Sequence, residues 1–157
     1  MNRTCSQNIF WSISLSPVAL MISALGGKIG TLVFGAADYK EIRFASLNSL
    51  PPAGSFEEFL DVTLIAPLVE TICLAIFIKV FSSISLVLLT PPIAGLVFGV
   101  LHWISAPQSF FGVFGMFWLF SIVFIRARET GFCCGFFSAA LIHGLTNFYL
   151  FLIKNFF

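Results

Sequence analysis

Apolar residues run almost unbroken along this chain, and the polar positions cluster in a few interruptions that cut it into candidate membrane spans. A helix needs about 20 predominantly apolar residues to cross the hydrocarbon layer. Five stretches approach that length: about 9 to 27 or a little further, about 56 to 79, a third somewhere between 84 and 104, about 110 to 125, and about 131 to 153. Between the first two, Ala37 to Ser55 holds Asp38, Lys40, Glu41, Arg43, Pro51 and Pro52, which is too polar and too broken to span and reads as a surface loop. The expected fold is all-α, a polytopic transmembrane helix bundle forming one integral membrane domain over residues 1–157, with a functional core from the second, third and fifth spans.

Local signals sharpen two of these starts. Ser55 followed by Glu58 is a capping box, in which the hydroxyl accepts an orphan backbone N–H and the carboxylate reaches back, so the second helix should begin near Phe56. Glu57, Glu58 and Asp61 then read as the acidic first turn that a helix N-terminus favours. For the third helix, Thr90 as cap with Pro91 at the first helical position gives a start that brings His102 level with Glu70 of the antiparallel second helix. The run from Phe81 to Thr90 is then a tight or re-entrant connection. At the N-terminus, Arg3 and the apolar run from Ile9 to Leu25 resemble a signal peptide, but the uncharged stretch from Thr4 to Gly27 is longer than a signal core needs, and a first transmembrane helix is expected.

Composition removes whole classes of function. Of 157 residues, 59% are hydrophobic and only 10% charged, more apolar surface than a soluble domain of this size could hide in one core. The net charge is +1 and the basic residues are scattered, so the stripe needed to neutralise nucleic-acid phosphates is missing. Orientation is weakly encoded: with the N-terminus inside, Arg3, Lys79, Arg126 and Arg128 lie inside and Lys40, Arg43 and Lys154 outside. Cys5, Cys73, Cys133 and Cys134 have neither zinc-site spacing nor the pattern of a secreted disulfide scaffold, and are expected to act as small apolar fillers.

The chemistry lies in the few polar groups within the spans. Each ionisable side chain at a helix centre costs roughly 2.5–3.5 kcal/mol on insertion scales, so such residues tend to face the bundle interior and to have a task. Glu70 sits near the middle of the second span with no charge between Asp61 and Lys79, His102 closes the third, and His143 and Asn147 share the fifth. In helical projection Gly95, Phe98, Gly99 and His102 occupy one arc, and Gly95-x-x-x-Gly99 lets a neighbouring backbone approach closely. His143 and Asn147 lie about 40° apart on a face with Ala139, Ala140 and Thr146. A lone intramembrane His or Asn often serves only as an interhelical hydrogen bond. Three such faces in one chain can instead converge on one polar pocket.

In these residues the sequence resembles the CPBP family, the CAAX-protease and bacteriocin-processing (Abi) group of glutamic intramembrane proteases. The motifs are Ala66-Pro67-Leu68-Val69-Glu70, Phe98-x-x-x-His102 and His143-x-x-x-Asn147, and the likeness runs from about Ala66 to Phe148 within a core of 56–154. It departs from the family pattern at Thr71 and Ala75, where a second Glu and an Arg usually stand one helical turn apart. Losing both partners of a buried ion pair can be nearly neutral, whereas losing one strands a charge.

The resemblance implies that Glu70 and His102 activate water while His143 and Asn147, aimed at one point, stabilise the tetrahedral intermediate. It also implies a peptide substrate on a membrane-associated protein, C-terminal processing as in small bacterial members linked to protein sorting, residence in the bacterial inner membrane, and no cofactor or metal. A glutamate with two histidines could nevertheless bind zinc. Two other classes stay open: a non-catalytic membrane partner such as a bacteriocin-immunity protein, and a proton-coupled transport subunit.

Overall fold

The computed structural model describes residues 4–35, 54–83 and 87–156, nearly all of them helical. Most of the expected loop from Ala37 to Ser55 lies outside these residues. Helix α1 spans Cys5–Phe34, starting earlier and ending later than its apolar run alone indicates. Its start is a capping box: the Thr4 hydroxyl accepts from Gln7 N–H, and the Gln7 side chain accepts the Thr4 N–H at 2.8 Å. Polar residues continue the helix because they fold back on it, Ser12 Oγ donating to the Asn8 carbonyl and Ser16 Oγ to that of Ile13, each at 2.8 Å.

The second span is α2 (Phe56–Leu60), a π-helical turn (Asp61–Ile65) and α3 (Ala66–Ser83), in continuous succession. Ser55 caps it as expected, its hydroxyl accepting from Glu58 N–H at 3.1 Å. Glu58 is more than a solvated end, since Lys154 reaches it at 2.8 Å from the far end of the chain. The π turn precedes Pro67, which has no N–H to give and whose ring opposes the carbonyl four residues back; widening the turn relieves that clash.

Helix α4 (Thr90–Ser105) begins where Thr90 and Pro91 indicate, but Leu89 is the capping position, no side chain among the described residues caps it, and Thr90 is itself helical and buried. At 16 residues it rises about 24 Å, making it the short member of the bundle. A 3₁₀ turn, Pro107–Ser109, leads into α5 (Phe110–Ala127); Arg128–Thr130 and Gly131 then lead into α6 (Phe132–Phe156). Helix α5 is the hub, packing against α1, α3, α4 and α6, while α3 leans mainly on α6 and meets α4 over a shorter stretch.

Four of the helical segments are long and apolar enough to cross a bilayer, with Thr90–Ile104 a shorter apolar helix beside them. The outward faces carry Phe10, Met21, Leu32, Ile76, Leu101 and Phe137, while Ser12, Ser16, Thr71, Ser121, Ser138 and Thr146 are buried. Apolar side chains outside with small polar ones between helices is the packing a lipid solvent favours. The protein is an integral membrane helical bundle.

One expectation about cysteine is corrected. Cys5 at the start of α1 and Cys134 in the first turn of α6 form a disulfide, with Cα atoms 5.7 Å apart across a sequence separation of 129. Spacing could not show it, because the pairing depends on two helix ends meeting at one face of the bundle. Cys73 and Cys133 are free and exposed.

Candidate active site

Three helices place three of the expected residues together. Glu70 comes from α3, His102 from the last turn of α4 and His143 from the middle of α6. The carboxylate lies between the imidazoles: Oε2 is 3.4 Å from His143 Nε2, and Oε1 is 3.7 Å from His102 Nε2. Both distances bring the imidazoles against the carboxylate and exceed a tight hydrogen bond. The exposure is graded, with His143 only 3% accessible, Glu70 28% and His102 35%. The cluster therefore has a closed floor at His143 and an open side at Glu70 and His102.

Backbone geometry sets the imidazole of His102. Its Nδ1 is 2.9 Å from the Phe98 carbonyl, one turn earlier in α4. A carbonyl only accepts, so the proton is on Nδ1 and Nε2 is the atom presented to Glu70. The Phe98-x-x-x-His102 spacing is thus a ring held by the carbonyl of its own helix. Gly95 and Gly99 allow the close approach expected of them, and the neighbour is α5: a Cβ at Gly95 would lie 2.6 Å from the Phe114 carbonyl oxygen.

His143 is held differently. Its ring rests on Phe120 at a centroid distance of 4.7 Å and meets Phe117 edge-on at 5.4 Å. Its buried Nδ1 has no hydrogen-bond partner among the described residues. A lone pair left in an aromatic pocket is less costly than an unpaired N–H, which favours the tautomer with Nε2–H directed to Glu70. Phe117 also stacks flat on Phe98 at 4.0 Å and lies 6.1 Å from His102. One α5 side chain therefore touches the framework of both imidazoles. Phe117 and Phe120 escaped the sequence reading because the run from Phe110 to Phe124 is aromatic on all sides.

Asn147 does not join the cluster through its amide nitrogen. Its Nδ2 donates to the Val62 carbonyl at 3.0 Å, inside the π turn. The projection that put His143 and Asn147 on one face holds, but four residues also separate them by about 6 Å along the helix axis. The two side chains consequently address different groups. Pro67 explains the acceptor: with no N–H at position 67, the carbonyls of Thr63 and Val62 lose their α- and π-type donors respectively, and Asn147 supplies one. Gly144 closes the same contact, since a Cβ there would meet the Thr63 carbonyl oxygen at 3.0 Å.

Thr71 and Ala75, which stand at the departures from the family pattern, are both buried, so the helix faces inward at these positions without a charge. No group of three His, Cys, Asp or Glu side chains among the described residues is arranged to hold a metal ion. No protein-family model matches the sequence, and neither a curated protein nor a solved structure does.

Proposed function

We propose that the protein is a glutamic-type intramembrane endopeptidase that cleaves a membrane-proximal or C-terminal peptide of a membrane-associated protein in a bacterial inner membrane. The observation that carries this reading is the Glu70 carboxylate held between two imidazoles from separate helices and open on one side. Three motifs in the order found in the CPBP group support it.

Peptide hydrolysis needs a base for water and a donor for the developing oxyanion. Glu70 takes a proton from water as the water oxygen attacks the scissile carbonyl carbon. His102 acts as the imidazolium: its Nδ1–H is held by the Phe98 carbonyl, and its Nε2–H donates to the oxyanion. Collapse of the intermediate breaks the C–N bond while Glu70 passes its proton to the leaving amine. His143 donates to the other carboxylate oxygen and fixes its direction. Asn147 holds the widened turn that leads into α3. On these contacts His143 and Asn147 position the base, in place of the oxyanion role that the family resemblance implies for them.

The test compares the C-termini of membrane proteins by mass spectrometry in cells carrying wild type, Glu70→Gln or His143→Ala. Loss of specific processed termini in both variants is expected. Unchanged processing in both rejects the peptidase and leaves the transport or non-catalytic readings.

A further inference from the structure

Away from Glu70, a cavity of about 520 Å³ opens between α3, α5 and α6. It is lined by the apolar side chains of Ile72, Ile76, Phe124 and Phe136 and by two cations, Lys79 and Arg128. From Ile72 to Lys79 it follows about 10 Å of α3, an apolar trough running inward from a cationic end. Ile76 is 60% exposed, so the trough faces the surroundings of the bundle, which for a membrane protein are lipid.

The two cations stand near the ends of their helices, where long side chains carry charge to the headgroup level. Among the described residues neither has a carboxylate partner. Arg128 donates one N–H to Ser82 Oγ at 3.4 Å, which anchors the guanidinium while other donors remain. The neighbouring acid, Glu129, pairs with neither cation among the described residues and lines a different groove together with Arg126 and Trp118. A guanidinium and an ammonium above an apolar trough match the charge and shape of a phosphate ester bearing an acyl chain.

We propose that this trough is a binding site for an anionic glycerophospholipid, its phosphate between Lys79 and Arg128 and one acyl chain along Ile72, Ile76, Phe124 and Phe136. The site is independent of the peptidase reading, since none of these residues belongs to the Glu70 cluster.

The full-length protein, purified in detergent, is titrated by native mass spectrometry with phosphatidylglycerol, with phosphatidylcholine of identical chains, and with inorganic phosphate. Wild type should retain phosphatidylglycerol preferentially, and inorganic phosphate should not displace it. Lys79→Gln, at an exposed position, should weaken retention about fivefold, and Lys79→Gln with Arg128→Gln should compound the loss. Ile76→Trp fills the trough without touching either charge and should also reduce retention. Equal retention of the two lipids by wild type overturns the proposal, as does displacement by inorganic phosphate. Full retention by folded Lys79→Gln or by folded Ile76→Trp overturns it as well.

Discussion

The side-chain amide of Asn147 donates to the backbone carbonyl of Val62 at 3.0 Å, joining α6 to the π turn that Pro67 imposes on the second span. Interhelical hydrogen bonds of this kind are worth about 0.6–2 kcal/mol. Asn147→Ala should destabilise the detergent-solubilised protein by that amount. In a Pro67→Ala background the cost should fall by at least half, because a backbone N–H at position 67 can again serve the freed carbonyls. A double-mutant cycle followed by thermal unfolding measures the coupling, and strict additivity would show that proline does not create the acceptor.

Under the proposed peptidase function, Glu70→Gln should lower peptide processing by about 10²–10⁴-fold, the range for loss of a general base, while leaving the bundle folded. Size-exclusion profiles and far-ultraviolet dichroism of the variant should match wild type. Processing at the wild-type rate would remove Glu70 from the chemistry.

Phe117 touches the framework of both imidazoles, whereas Phe120 contacts only His143 of the two. The chain contains two histidines, so their ring resonances in ¹⁵N-histidine-labelled protein can be followed individually. Phe117→Leu should move both sets, and Phe120→Leu should move that of His143 by far the more. Each change should cost about 1–2 kcal/mol of stability.

Helix α1 crosses α5 so closely that a Cβ at Gly26 would collide with the Gly112 backbone, while one at Gly27 meets nothing within 4 Å among the described residues. Gly26→Ala should therefore destabilise by about 1–3 kcal/mol through overpacking, and Gly27→Ala should be neutral or slightly stabilising. Thermal unfolding of the two variants side by side separates close approach from a general effect of glycine on helix propensity.

Denatured, non-reduced protein should accept two maleimide mass tags, at Cys73 and Cys133, and four after reduction. Cys5→Ser should expose Cys134 and give three tags without reductant. Four tags on the untreated wild type would show the pair reduced in the cell.

The sequence made most of the span pattern legible because a span is recorded locally, in run length and in its caps. Ser55 with Glu58 located one helix start, and Thr90 with Pro91 located another, with only the capping residue displaced to Leu89. The level of His102 opposite Glu70 followed from that start and is met by their 3.7 Å separation. Features that depend on which helices adjoin were not legible. Nothing near Cys5 signals Cys134, nothing near Glu58 signals Lys154, and the aromatic run of α5 conceals which of its faces receives His143. Helical projection also omits axial rise, and it is that rise that directs His143 to Glu70 and Asn147 to the Val62 carbonyl.

The bond between Cys5 and Cys134 couples the first and last described helices at one face of the bundle. Helices in a bilayer can otherwise drift apart sideways, and a seam that opens is a doorway for another polypeptide. Here the α1–α6 seam is stitched shut at that rim, so under the proposed peptidase function a peptide enters elsewhere. The less tightly joined margin between α3 and α4 is where Glu70 and His102 wait.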